Sequence, residues 1–137
     1  MNALETYFKE EVAKKNATRK TVKQLQDEQR TKAIDFCNEM VDKLSFLSKF
    51  GCKVYIDKMC GYGRFFIDYP DSHGIDGTRT AEVELKKERR KYDDQDYFYY
   101  YAEEKFYVNW NYRICHNDED DYLTTEGIVR RLARIIG

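Results

Sequence analysis

Asp71, which follows the only proline (Pro70), together with Glu84 and Lys86 has the residue types and spacing of a two-carboxylate metal site. Asp76 offers an alternative first carboxylate. Two carboxylates can hold an octahedral divalent cation such as magnesium, and the cation can stabilise the charge that builds up on a phosphoryl group under attack. Lys86 stands two residues beyond Glu84, so on a strand both side chains share a face and the ammonium can help to activate water.

The residues around this pattern supply such a strand. Ala81, Val83 and Leu85 alternate with Glu82, Glu84 and Lys86, and a loop containing Gly74 and Gly77 precedes them. Pro70-Asp71 with Glu84-Leu85-Lys86 resembles the PD-(D/E)xK nuclease signature. That resemblance implies Asp71 (or Asp76) and Glu84 as magnesium ligands, Lys86 as the water-activating group, and a helix, three strands, a helix and a strand between about Thr21 and Ile114. The last requirement would make Lys86 to Glu104 helical. The residues also have a plainer explanation, because the solvent face of a charged third strand would read Thr80-Glu82-Glu84-Lys86 in the same way. The primary expectation is therefore noncatalytic, and magnesium enters only with the nuclease alternative.

Other groups with reactive chemistry lack the spacing to use it. Cys115-His116, Cys52, Cys60 and His73 are soft ligands suited to zinc, but none forms the short paired spacing of a zinc site. Cys37 falls near a helical apolar stripe and Cys52 alternates with Val54, so reduced, buried thiols are expected. Asn117-Asp118-Glu119-Asp120-Asp121 has no calcium-loop glycine and reads as a solvated loop. Gly61-Tyr62-Gly63 lacks the third glycine of a dinucleotide loop and reads as a turn.

Charge separates along the chain although the net formal charge is only −1. Lys14, Lys15, Arg19, Lys20 and Lys23 form a cationic run that could touch phosphates, a secondary expectation in a chain that is not basic overall. Between Tyr92 and Glu126, by contrast, Lys105 and Arg113 face ten carboxylates: Asp93, Asp94, Asp96, Glu103, Glu104, Asp118, Glu119, Asp120, Asp121 and Glu126. Tyr97, Tyr99 and Tyr101 lie in the same stretch with other aromatic side chains. Acidic surroundings argue against stacking these rings on nucleic-acid bases and favour a basic protein surface as partner.

The elements that position these residues can be read from periodicity. Leu4, Tyr7, Phe8 and Val12 mark a short first helix, with a break expected at Asn16-Ala17-Thr18. Thr21 to Gln24 reads as a capping box opening a long helix to Gly51, with Val22, Leu25, Gln29, Ala33, Phe36, Met40, Leu44 and Leu47 on one stripe. Cys52 to Ile56 and Phe65 to Tyr69 read as a hairpin that ends at Pro70. Lys86 to Lys91 prefers helix or loop, Tyr97 to Tyr101 prefers strand, and Phe106 to Ile114 is the clearest alternating strand, expected at the centre of the sheet. Thr124 caps a terminal helix, and Leu123 is placed to staple onto Ile128.

The expected fold is α+β in a single 137-residue domain, helical over 1–50, mainly sheet over 51–115 and helical again over 124–136, with about five antiparallel strands. No apolar run has the length of a membrane span and the first residues lack the apolar core of a signal peptide, so a cytoplasmic location is expected. The expected function is a noncatalytic protein-binding module. Its acidic, tyrosine-rich region (Asp93, Asp94, Asp96, Tyr97, Tyr99, Tyr101, Glu103, Glu104, Asp118, Asp120 and Asp121) would dock on a larger protein with a basic surface. Such a module could mimic nucleic acid, as small inhibitors from phages and mobile elements, anti-CRISPR proteins among them, do as a class. A homo-oligomer joined through exposed aromatics is a further alternative.

Overall fold

The computed structural model describes residues 2–18, 20–112 and 120–137. Arg19, Cys115, His116, Asn117, Asp118 and Glu119 lie outside the described residues.

Helix α1 spans Ala3–Thr18, so the break expected at Asn16 to Thr18 does not occur; Ala17 is a strong helix former. Helix α2 spans Val22–Lys43 and opens on the expected capping box, with Thr21 and Gln24 exchanging side-chain-to-backbone hydrogen bonds. It tightens into a 3-10 helix, Ser45–Phe50, before Gly51 ends the run in a left-handed conformation at φ 83°. The cap at Gly51 is where the sequence places it, while the last turns are wound more tightly than an α-helix.

Among the described residues seven strands follow: β1 (Lys53–Tyr55), β2 (Arg64–Ile75), β3 (Thr78–Leu85), β4 (Lys87–Tyr92), β5 (Gln95–Tyr100), β6 (Lys105–Asn109) and β7 (Asp120–Thr124). Five of them form an antiparallel sheet in the order β1-β2-β3-β6-β7, and β4 pairs with β5 in a separate ribbon. The chain closes with α3, Thr125–Ile136, capped by Thr124. The α+β class holds, but the aromatic run belongs to the ribbon, β3 rather than β6 is the middle strand, and β6 gives way to a turn at Trp110–Tyr112 instead of running on toward Ile114, which with Arg113 lies outside the described residues.

Strand β2 continues through Pro70, where the sequence suggests an end. Asp71 donates its N–H to Gly77 O on the β3 side, so the nitrogen of Pro70 faces the β1 side. Strand β1 reaches only to the pair Lys53 with Asp68, and the missing N–H therefore removes no ladder bond. Asp71 to Ile75 is thus strand rather than loop, with a register shift between Pro70 and Ile75 and a turn at Asp76-Gly77.

One face of the sheet presents Phe65, Ile67, Ala81, Val83, Leu85, Phe106 and Val108 to Ala33, Cys37 and Met40 of α2 and to Ile128 and Leu132 of α3, forming a single core. Leu123 packs against this core, of which fully buried Ile128 is a member. The opposite face carries Tyr55, Phe66, Tyr107 and Tyr122, with Tyr55 stacked on Phe66 and the rings of Tyr107 and Tyr122 4.6 Å apart. Among the described residues no helix is long and apolar enough to cross a membrane.

Candidate functional site

The β4–β5 ribbon brings together the largest group of predicted site residues, and it does so by pairing them with cations. Strand β4 reads Lys87-Glu88-Arg89-Arg90-Lys91-Tyr92, a composition that favours helix or solvated loop in isolation. It becomes a strand because Tyr97 faces Arg90, Tyr99 faces Glu88 and Phe98 faces Arg89 across the ladder. Lys87 to Lys91 is therefore strand, joined to β3 through Lys86, and a helical Lys86 to Glu104, which the nuclease resemblance requires, is excluded.

Tyr97, Tyr99 and Tyr101 share one face of the ribbon. Arg90 lies 3.7 Å from the centre of the Tyr99 ring and Lys32 of α2 lies 3.8 Å from it, so Tyr99 is in contact with two cations. Tyr99 and Tyr101 meet edge to face, with Lys86 5.1 Å from the Tyr101 ring. Tyr101 Oη also donates to Glu88, and this bond, reinforced by Arg90, holds the Glu88 carboxyl below its ordinary value. On the opposite face Tyr100 is buried against Gly63, whose φ of 73° and close approach to the ring, 2.9 Å from where a Cβ would sit, leave space for glycine alone.

The ribbon is fastened to α2 by two glutamines. Gln26 Nε2 donates to Phe98 O at 3.1 Å while Gln26 Oε1 accepts from Phe98 N–H at 2.8 Å. Gln29 Oε1 accepts from Tyr100 N–H at 3.0 Å. These amides take the place of a neighbouring strand along the outer edge of β5, satisfying backbone groups that an edge would otherwise expose.

The acidic residues, clustered in sequence, are dispersed in space. Asp93 and Asp94 form the ribbon tip, both in the left-handed region at φ 55° and 62°, and Asp96 faces Lys91 just below them. Glu103 lies in the turn before β6, whereas Glu104 is tied to Lys43 Nζ at 2.6 Å and to Thr125 Oγ1 at 3.0 Å, contacts that lower its carboxyl pKa. Asp121 faces the core side, where it accepts from Trp110 Nε1 at 3.0 Å and pairs with Arg131. Asp120 enters β7 opposite Asn109, which corrects the solvated-loop reading for Asp120 and Asp121.

The nuclease constellation does not assemble. Pro70 faces Thr78 whereas Arg64 faces Glu84, so Asp71 lies seven positions along the hairpin from the residue opposite Glu84, roughly 20 Å away. Asp71 is 3.3 Å from Arg79, Asp76 occupies the turn beyond it, Glu84 lies 3.8 Å from both Arg64 and Lys87, and Lys86 joins the ribbon. Among the described residues no group of three or more His, Cys, Asp or Glu side chains is placed to hold a metal ion.

The cationic run is partly neutralised: Lys14 approaches Glu11 at 3.9 Å and Lys20 pairs with Glu28 at 2.8 Å. Burial lifts the Cys37 thiol to about 12 and raises Cys52, as expected of structural thiols. Cys60 instead lies 3.7 Å from Tyr112 Oη, a contact that raises the tyrosine. No family model, curated protein or solved structure matches the chain.

Gln26, Gln29 and Lys32 are the functional-region residues that sequence reasoning missed. Gln29 carried a signal, since it falls on the inward stripe of α2 among apolar residues, where a polar side chain needs a partner.

Proposed function

We propose that the chain is a noncatalytic protein-binding module whose β4–β5 ribbon docks on a basic surface of a larger protein. The supporting observation is the tip. Asp93 and Asp94 both hold positive φ, which Asp tolerates better than most residues, and the turn thereby places two adjacent carboxylates at the end of the ribbon. Carboxylates displayed there are well suited to steering toward a cationic partner, and Tyr97, next along the ribbon, supplies contact area with few rotatable bonds.

The distribution of charge also narrows the mode of action. Asp93, Asp94 and Asp96 outnumber Lys91 at the tip, whereas Lys86, Lys87, Arg89 and Arg90 lie further down the ribbon beside Glu88. An extended imitation of a phosphate backbone is therefore less well supported than insertion of a short acidic tip into a cationic groove. A tip seated there competes with nucleic acid or any other polyanion, which makes inhibition the functional consequence of docking.

The test compares wild type with the triple variant Asp93→Asn, Asp94→Asn, Asp96→Asn. Partners captured by the wild type are purified, and association rates are measured over a range of salt concentrations. The triple variant is expected to associate more slowly, with a shallower salt dependence and an unchanged melting temperature. Tyr97→Ala is expected to accelerate dissociation, on the order of tenfold or more if the ring is a desolvated anchor. A partner bound with the same rates by all three proteins would refute docking through the ribbon.

A further inference from the structure

The β4–β5 ribbon is closed along one edge and open along the other. Bonded residues alternate in an antiparallel ladder, and Tyr101 N–H donates to Lys86 O at 2.9 Å. Glu88, Arg90 and Tyr92 therefore also bond across to β5, while Lys87, Arg89 and Lys91 turn their N–H and C=O groups away from it. The corresponding outward groups of β5, at Phe98 and Tyr100, are held by Gln26 and Gln29. Those of β4 have no hydrogen-bond partner among the described residues, and β2, which lies on that side of β3, begins only at Arg64, opposite Glu84. We infer that this outer edge of β4 receives an extended, acidic segment of a partner protein as an added strand.

The edge meets the requirements of strand addition. Lys87–Tyr92 runs in unbroken register with neither bulge nor proline, and Lys87, Glu88, Arg89 and Lys91 are exposed. Charge alone guards it, and charge also specifies the occupant. Lys87, Arg89, Arg90 and Lys91 stand against Glu88, whose carboxylate is already engaged by Tyr101 and Arg90. Lys87, Arg89 and Lys91 share one face of β4 with Phe98 of β5, whose ring centre lies 5.0 Å from Lys87 and 5.8 Å from Arg89. At the base of the ribbon Lys87 is also 3.8 Å from Glu84. A strand laid on this edge sets every second side chain directly opposite one of these cations, so carboxylates at alternate positions pair with them and a basic strand is repelled. A second copy does not fit, because β4 against β4 in full antiparallel overlap sets Arg89 opposite Arg89 and Lys87 opposite Lys91. Nucleic acid matches the charge but not the edge: its phosphodiester backbone accepts hydrogen bonds and offers no donors to the carbonyls of Lys87, Arg89 and Lys91.

This inference concerns the edge of the ribbon and goes beyond docking through its tip. The test uses the full chain and a synthetic peptide of alternating glutamate and threonine matched in length to β4, at up to millimolar concentration. Three controls accompany it: the same peptide with lysine in place of glutamate, the glutamate peptide N-methylated at its glutamate nitrogens, and oligothymidylate. The glutamate peptide is expected to bind and to slow hydrogen exchange at the N–H groups of Lys87, Arg89 and Lys91, on the order of tenfold or more at saturation, while Glu88 and Arg90 change little. The lysine and N-methylated peptides should bind roughly tenfold or more weakly, the latter because it keeps the charge and loses the ladder donors. Arg89→Glu should weaken the glutamate peptide to a similar degree with an unchanged melting temperature; should that variant fail to fold, the N-methylated comparison on wild type decides. No binding of the glutamate peptide, equal binding of its N-methylated form, binding without protection of those N–H groups, or the same protection from oligothymidylate would each overturn the inference. Asp93→Asn, Asp94→Asn, Asp96→Asn should leave peptide binding intact, so edge and tip fail separately.

Discussion

Removing the glutamine clamp should loosen the ribbon without unfolding the domain. Gln26 and Gln29 make three hydrogen bonds to the outer edge of β5, at 3.1, 2.8 and 3.0 Å. A hydrogen bond at a partly exposed site contributes about 0.5–1 kcal/mol net, because water replaces the lost partner. Gln26→Ala should therefore destabilise the ribbon by about 1–1.5 kcal/mol, and Gln26→Ala with Gln29→Ala by about 2 kcal/mol, with some departure from additivity because both glutamines hold one edge. Hydrogen exchange can read this residue by residue. The N–H groups of Phe98 and Tyr100 point to α2, whereas those of Tyr97, Tyr99 and Tyr101 point to β4, as the bond from Tyr101 N–H to Lys86 O shows. Exchange at Phe98 and Tyr100 should accelerate about 10- to 30-fold in the double variant, following the stability lost, while Tyr97 and Tyr99 retain most of their protection. Gln26→Glu should be worse than Gln26→Ala at neutral pH, because a carboxylate would face the Phe98 carbonyl with no proton to donate. Unchanged exchange at Phe98 and Tyr100 in the double variant would refute the clamp.

No magnesium- or manganese-dependent cleavage of DNA or RNA is expected, since Asp71 and Glu84 stand roughly 20 Å apart; cleavage abolished by Glu84→Ala in a folded variant would reverse that conclusion. The lowered carboxyl of Glu104 stabilises the fold at neutral pH, and this contribution should disappear as pH falls from the ordinary glutamate value of 4.5 through the lowered folded value. The stability difference between wild type and Glu104→Gln should accordingly shrink on acidification over that window, and a constant difference would contradict the assignment. Cys37, with its thiol pushed up to about 12, should resist alkylation at pH 8 in the native protein and react after denaturation, as read by mass spectrometry; native labelling of Cys37 at the rate of an exposed thiol would count against the described burial.

Features with a local cause were legible in the sequence. The capping box at Thr21, the left-handed end at Gly51, the cap at Thr124 and the alternation of Phe106 and Val108 each depend on residues a few positions apart. Features decided by distant pairing were not. Lys87 to Lys91 has no strand propensity of its own and is extended because β5 lies beside it. The passage of β2 through Pro70 depends on where β1 stops, which composition around Pro70 does not report. Charge was misread for the same reason: the linear window Tyr92 to Glu126 is acidic, but register places cations from Lys86 to Lys91 beside its first part, and Glu104 and Asp121 bind Lys43 and Arg131. Tyr97, Tyr99 and Tyr101 share a face because the aromatic run is extended, while Lys32 and Arg90, which contact Tyr99, come from elements outside that window.

The position of the ribbon in the chain makes it a separable part. Strands β3 and β6 are paired neighbours, with Leu85 opposite Phe106, so everything between them is topologically an elaborated hairpin loop. The two ends that a shorter connection would have to join are already about 5 Å apart, and a turn of a few residues could close them without altering the register of the sheet. What anchors the insertion to the body is largely Tyr100 against Gly63 and the amides of Gln26 and Gln29. A lineage carrying this scaffold can therefore change the length, charge and rings of the ribbon while the sheet and its helices stay as they are, so the ribbon is free to diverge faster than the fold that presents it.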